Sequence, residues 1–334
     1  MGGAYRAMVA AMTNAIRIHE TGGPEVMRWE TIDVPAPGPG EALVKHTAIG
    51  VNFIDTYFRS GLYSMPLPGS LGTEAAGVVE AIGAGVTEVA VGDRVAYAGP
   101  MGSYAERRLI AAERLVPLPA TVSDEVAAAA LLKGMTVEYL IQRTFAVQPG
   151  MTVLWHAAAG GVGLIACQWL ASLGVKVIGT VSTEEKATLA KAHGCAEVIL
   201  YTREDVAARV RELTAGAGVP VVYDSVGAST FAASLDSLAP RGLLVVFGNA
   251  SGKPPALDLL SLSSKGSLYV TRPTLNTYVA TRPELLASAA ALFDVLARGI
   301  VTAAPTSRFA LADAPAAHRF IESRASTGAT ILLP

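Results

Sequence analysis

The 334-residue chain has only two cysteines, Cys167 and Cys195, and they form no C-x-x-C pair. Two thiols cannot build a four-thiolate zinc site or a disulfide framework, so a reducing, cytoplasmic setting is expected. Charge is also sparse: Asp, Glu, Lys and Arg make up 16% of the residues, the net charge is −2, and no stripe of Lys and Arg occurs. That argues against nucleic acid, and the pair Arg107–Arg108 reads as a solvated face. Although 51% of the residues are hydrophobic, no apolar run approaches the ~18 residues that span a bilayer. The apolar content instead supports a large core, and the length suggests two domains. Residues 1–11, MGGAYRAMVAA, carry one arginine and too short an apolar run for a secretory signal. They read as a disordered extension, with Met12 as an alternative start.

Glycine and proline are plentiful, and their placement sets the first third apart. Short β-like runs at Ala15–His19, Glu41–Ile49, Gly77–Ile82, Arg94–Tyr97 and Ala105–Ile110 alternate with PAPGPG (35–40), LPGS (67–70) and VGDRV (91–95). This pattern predicts an irregular, mostly antiparallel β domain. Near Ser123 the texture changes. Ser123 is a predicted N-cap, with Asp124 and Glu125 in the first turn of a helix that continues through Phe145. Apolar strands follow at Val153–His156, Lys176–Val181, Val198–Tyr201, Val219–Asp224 and Leu243–Gly248. Between them lie predicted helices at Gly161–Leu173, Glu184–His193, Glu204–Thr214 and Thr230–Leu238. This βαβαβ repetition predicts an α/β, Rossmann-type doubly wound parallel sheet, with Leu268–Thr271 as a sixth, edge strand. The tail predicts helices at Glu284–Arg298 and Ala314–Arg324 and a strand at Ala329–Leu333, returning to the first domain. The expected domains are therefore 12–130 with 275–334, and 131–274.

The stretch His156-Ala-Ala-Ala-Gly-Gly-Val-Gly163 follows a predicted strand and opens a predicted helix. Against G-x-G-x-x-G it gives Ala158-x-Gly160-x-x-Gly163, and alanine at the first position is tolerable if φ stays negative. Small residues let the backbone approach a pyrophosphate, and the helix N-terminus offers N–H groups and a partial positive charge. A tight turn without a ligand is the plainer alternative, and the surrounding βαβαβ pattern argues against it. An NAD site usually places an acid at the end of the second strand, for the ribose 2′-hydroxyl; here Val181 or Ser182 occupies that position. Ser182 leaves room for a 2′-phosphate, and the ammonium of Lys186 lies one turn on, which favours NADPH over NADH. The same residues also fit a Ser182-x-x-Glu185 capping box and a solvated lysine.

Longer stretches carry a family resemblance. AIGVNFIDTYFRSGLY (48–63), GTEAAG (72–77), LKGMTVEYL (132–140), HAAAGGVGLIACQW (156–169), VVYDSVG (221–227), FGNASG (247–252), KGSLYVTRP (265–273) and ESRA (322–325) resemble the quinone oxidoreductase branch of the medium-chain dehydrogenases/reductases, the zeta-crystallin-like NADPH:quinone reductases. The similarity runs from about Ala15 to the end; one departure is Ser182, which is glycine in some relatives. It implies a GroES-like β domain joined to a Rossmann domain. Where the zinc enzymes of the superfamily carry a Cys and a His ligand, this chain has Asn52 and Thr73, so no metal is expected. Without a Lewis acid, an alcohol–ketone couple lacks help with its alkoxide. A quinone needs less help, because hydride addition gives an aromatic hydroquinone anion, and positioning becomes the main task.

The resemblance also implies roles for individual residues. It puts Asn52 and Tyr57 in a cleft between domains, as catalytic and cofactor-contacting residues, with Tyr63 lining the substrate pocket. It puts Thr136 and Tyr139 near the nicotinamide, and Gly160, Gly161 and Val162 at the pyrophosphate. Ser182, Lys186 and Tyr201 fall around the 2′-phosphate, Ser225, Phe247, Gly248 and Asn249 at strand ends facing the cofactor, and Arg324 on a cofactor phosphate. Read singly, Asn52 is a turn cap, Tyr57 a half-buried core residue, and Arg324 a helix-end arginine. A homodimer through SLYVT (267–271) is expected, since an unpaired apolar edge invites its copy. Two other functions suit the same scaffold: reduction of an activated C=C bond in enones or alkenals, and a structural or RNA-binding role for an NADPH-binding protein.

Overall fold

Gly and Pro cut the first third of the chain into short strands. In the computed structural model, which describes residues 11–334, these are β1 (Ala11–Ile18), β2 (Arg28–Val34), β3 (Glu41–Val51), β4 (Gly69–Ser70), β5 (Glu74–Ile82), β6 (Arg94–Ala98), β7 (Arg107–Ala111) and β8 (Val116–Pro117), with a short helix α1 (Phe53–Arg59) after β3. The extension expected at residues 1–11 lies outside the described residues except for Ala11, which belongs to β1 and pairs with Val34. Neither β2 nor α1 was anticipated. β2 is largely exposed, and its partner β1 holds it in a small three-stranded sheet ordered β2-β1-β4.

Helix α2 (Asp124–Glu138) is capped as expected: Ser123 Oγ accepts from the Val126 N–H at 3.2 Å. The predicted single helix to Phe145 is not observed. From Tyr139 to Thr144 the ladder widens into a π-helix, a local change that often marks functional positions. The alternation then reads β9 (Thr152–Trp155), α3 (Gly161–Ser172), β10 (Lys176–Val181), α4 (Glu184–Ala192), β11 (Glu197–Leu200), α5 (Val206–Leu213), β12 (Val219–Asp224), α6 (Phe231–Asp236), β13 (Leu238–Val246), α7 (Leu259–Ser264) and β14 (Tyr269–Thr271). All six strands are parallel, in the order β11-β10-β9-β12-β13-β14. This is a doubly wound sheet whose central strands bury both faces: Val153, Leu154, Val221 and Val222 are fully buried. The expected edge strand, β14, does stand at the edge.

The tail supplies α8 (Leu275–Tyr278), α9 (Arg282–Ala297), β15 (Pro305–Ala310), α10 (Ala314–Glu322) and β16 (Ala329–Leu333). β16 pairs antiparallel with β3 and parallel with β15, so the chain does return to its first sheet, ordered β15-β16-β3-β5-β6-β8 with β7 also on β3. β15 was not anticipated, because its sequence PTSRFA alternates only weakly. The molecule divides into two units: the described part of Met1–Leu132 with Thr281–Phe293 and Ala303–Pro334, and Lys133–Ala280 with Asp294–Thr302. Each has its own apolar core, around Ile16, Ile49, Tyr97 and Leu332 in the first and Leu154, Ile178, Val222 and Leu244 in the second. Among the described residues no helix is long and apolar enough to cross a membrane.

Candidate active site

In the second unit, β9 ends at Trp155 and the chain turns at Ala157, whose φ of 56° lies in the left-handed region that non-glycine residues avoid. Gly160 N–H closes the turn on Ala157 O at 3.0 Å and caps α3. The N–H groups of Gly161 and Val162 then fall in the first helical turn, outside the helix's own ladder. Two close approaches explain the loop's composition. A Cβ on Gly163 would sit 2.4 Å from Ala157 O, so the third glycine is required. Ala158 keeps its φ out of the left-handed region, and its methyl fits because Gly179 faces it, where a Cβ would come within 2.6 Å. The glycine missing from the loop is thus supplied by the neighbouring strand, a compensation invisible in the motif.

At the carboxyl ends of β10 and β11, Ser182 and Tyr201 lie side by side, since Tyr201 N–H donates to Val181 O at 3.2 Å and Thr202 Oγ1 to Ser182 O at 3.2 Å, and Lys186 stands in the first turn of α4. The expected capping box is displaced by one residue. Thr183, not Ser182, caps α4, its side chain accepting from Lys186 N–H at 3.3 Å. Extended φ and ψ of −140° and 162° fall on Thr183, which makes it the N-cap. Lys186 is half-buried, and desolvation pushes its ammonium below the usual lysine range. Glu184, at the start of α4, is exposed and paired with Arg203 at 3.2 Å.

Ser225, Phe247, Gly248 and Asn249 gather at the carboxyl ends of β12 and β13. Phe247 N–H donates to Asp224 O at 2.8 Å, Ala250 N–H to Ser225 O at 3.2 Å, and the Phe247 ring lies 5.6 Å from Trp155. Thr136 and Tyr139 are buried at the end of α2 and the start of the π-helix; Tyr139 stacks on Tyr278 with ring centroids 4.4 Å apart. Arg324, exposed and with a φ of 61°, follows the end of α10 and is not the helix residue its sequence suggests.

In the first unit, Asn52 precedes α1 and its backbone N–H donates to Asp55 Oδ2 at 2.8 Å, while its side-chain Nδ2 donates to Glu74 Oε2 at 2.9 Å. Glu74 also accepts from Leu132 N–H at 2.6 Å. Thr73 Oγ1 donates to Asp55 Oδ1 at 3.1 Å and Tyr104 OH to Asp55 Oδ2 at 3.1 Å. The network continues through His318 Nε2, 3.0 Å from Tyr104 OH, to Arg59, which holds Glu322 at 2.6 Å. Arg59 donates to His318 Nδ1, so Nε2 carries the imidazole proton and donates to Tyr104. Asp55, Glu74, Tyr104, Arg59 and His318 were not singled out from sequence; their spacing gives no local signal, since the partners are up to 263 residues apart. Tyr57 and Tyr63 pack edge to face at 5.3 Å, with Tyr57 buried. Among the described residues no three His, Cys, Asp or Glu side chains converge as metal ligands.

A β unit followed by a doubly wound sheet carrying a glycine loop defines the medium-chain dehydrogenase/reductase architecture. Two family models match: "alcohol dehydrogenase GroES-like domain" over residues 38–120 and "zinc-binding dehydrogenase" over residues 161–291. The chain is 54% identical over 325 residues to a quinone oxidoreductase of Pseudomonas aeruginosa, covering 97% of this chain and all of that one. The crystal structure of the Escherichia coli quinone oxidoreductase complexed with NADPH superposes with a TM-score of 0.95 at 48% identity, covering 96% of this chain and all of that one. A 2-haloacrylate reductase of a Burkholderia species is 45% identical over 331 residues, or 97% of this chain and 99% of that protein. The chain belongs to the quinone oxidoreductase family of the medium-chain dehydrogenases/reductases.

Proposed function

We propose that this protein is an NADPH-dependent quinone reductase that works without a metal. The observation that carries the reading is the end of β10, where Ser182 lies beside Tyr201, the half-buried Lys186 follows in the first turn of α4, and neither Val181 nor Ser182 is an acid. Full-length similarity to quinone oxidoreductases, one of them complexed with NADPH, supports the same reading. The cradle fits the cofactor: Gly161 and Val162 present helix N-terminal amides to the pyrophosphate, Gly160 lets the backbone approach it closely, and Gly163 is bare where a side chain would clash. Ser182, Lys186 and Tyr201 hold the 2′-phosphate, Ser225, Phe247, Gly248 and Asn249 line the strand ends, and Arg324 takes a phosphate. Thr136 and Tyr139 receive the nicotinamide end. When bound, NADPH supplies the hydride. Asn52, its amide oriented by Glu74, holds a quinone oxygen. Tyr57 donates a hydrogen bond to the oxyanion that forms, and Tyr63 lines the ring's pocket. Asn52 and Thr73 are weak zinc ligands, and both donate hydrogen bonds to buried carboxylates.

A panel assay tests this. Oxidation of NADPH by 1,4-benzoquinone is expected to proceed with metal-free protein. Absence of quinone turnover, with turnover of an α,β-unsaturated ketone or acid, would instead favour the double-bond reductase reading that the 2-haloacrylate reductase likeness supports. The protein further acts as a cytoplasmic homodimer paired through β14. That pairing rests on the edge position of β14 and on the exposure of Tyr269 (62%), Leu259 (73%) and Leu260 (76%). Light scattering at micromolar concentration is expected to give twice the chain mass; a monomer mass rejects the dimer.

A further inference from the structure

Beneath the glycine loop of the second unit lies a buried polar chain that no cofactor contact uses. Asp224, at the end of β12 and fully buried, accepts at Oδ1 from Val226 N–H (2.8 Å) and Gly227 N–H (3.0 Å) and from Thr230 Oγ1 at both oxygens (2.9 and 2.7 Å). Ser234 Oγ, on α6, donates to Asp224 Oδ2 at 2.8 Å and lies 3.0 Å from His156 Nε2. Its one proton is committed to Asp224, so toward His156 it can only accept. Nε2 therefore carries the imidazole proton and Nδ1 is bare. Nδ1 then takes its hydrogen bond from Thr180 Oγ1 at 3.0 Å, and Thr180 Oγ1 is left to accept from the N–H of Ala157 at 3.4 Å. Every donor faces an acceptor in one direction: Ala157 N–H to Thr180, Thr180 to His156, His156 to Ser234, Ser234 to Asp224. Burial lowers the His156 pKa, so the imidazole is neutral, as this order requires.

One end of the chain reaches Ala157, the residue held at a φ of 56° where the loop bends. The other reaches Val226 and Gly227, beside Ser225. The geometry points to His156 and Thr180 as positioning residues that hold the left-handed turn at Ala157, and with it the amides of Gly161 and Val162, in the conformation that receives a dinucleotide pyrophosphate. A left-handed alanine persists only where its surroundings over-determine it, and the Thr180 contact is the side-chain restraint on that peptide. The inference rests on the cofactor reading above.

Thr180→Val keeps the shape and deletes the hydroxyl; Thr180→Ser restores it. In the cofactor-free protein, amide hydrogen exchange of peptides covering residues 157–163 is expected to speed about tenfold in Thr180→Val and return toward wild type in Thr180→Ser. The KM for NADPH is expected to rise about tenfold in Thr180→Val, with kcat at saturating NADPH within about twofold. His156→Phe cuts the chain at its centre and should do the same; should it fail to fold, Thr180→Val carries the test alone. A folded Thr180→Val protein with unchanged exchange and unchanged KM for NADPH overturns the inference. Faster exchange in a variant whose wild type binds no NADPH supports the loop restraint and overturns the functional reading instead.

Discussion

Lys186→Ala is expected to raise the Kd for NADPH roughly 10- to 150-fold while leaving NADH within about twofold, the loss of one hydrogen bond between charged groups at about 1.5–3 kcal/mol. Lys186 carries its charge where the surroundings favour the neutral amine. It lies in the first turn of α4, where the helix dipole favours anions, and desolvation lowers its pKa. A phosphate dianion at this point relieves both. NADH lacks the 2′-phosphate and has nothing to lose. Isothermal titration with both cofactors reads the difference; equal losses for the two would reduce Lys186 to a helix residue.

Acid is expected to destabilise the fold by roughly 4 kcal/mol between pH 7 and pH 5 through two histidines alone. Burial holds His46 down to about 4 and His318 down to about 3, from an ordinary value of 6.5. Both are neutral when folded. His46 Nδ1 donates to Ala105 O at 2.6 Å, so its Nε2 must accept from Tyr97 OH, 2.9 Å away; a second proton there has no acceptor. His318 Nδ1 faces the Arg59 guanidinium at 3.1 Å, so protonation would oppose two cations. Because the folded values are depressed, the unfolded chain binds more protons below 6.5. The stability is fully present above that value and is lost as pH falls through it toward 4 and 3. Urea midpoints at the two pH values check this, and a flat profile would rule it out. His318→Gln should reduce the slope whatever its own baseline.

The two predictions draw on different levels of information. The position of Lys186 at the start of α4 is legible because helix periodicity and strand spacing are local: apolar runs of the right length, punctuated by glycine, determine that a parallel sheet forms and where its strands end. HAAAGGVG, the lack of an acid at Val181 and Ser182, and Asn52 with Thr73 are readable for the same reason, and so is the edge strand near Tyr269. The misreadings came where a tertiary partner overrides local preference. Strand β2, largely exposed and only partly apolar, is held by β1; β15, with its Pro305, is held by β16. Thr183 displaced Ser182 as the cap because backbone angles, not residue type, choose between adjacent hydroxyls.

What the sequence alone determined was the class of fold, the glycine loop between β9 and α3, and Asn52 and Thr73 as residue types, because these follow from spacing and side-chain chemistry. Only the tertiary structure decided what fills the vacated ligand positions and what supports the loop. Gly179 makes room for Ala158 from the next strand, Asp55 and Glu74 bind Thr73 and Asn52, and His156 reaches Asp224 through Ser234 across 68 residues of chain. A buried donor must find an acceptor wherever the fold brings one, and sequence distance places no limit on where that is.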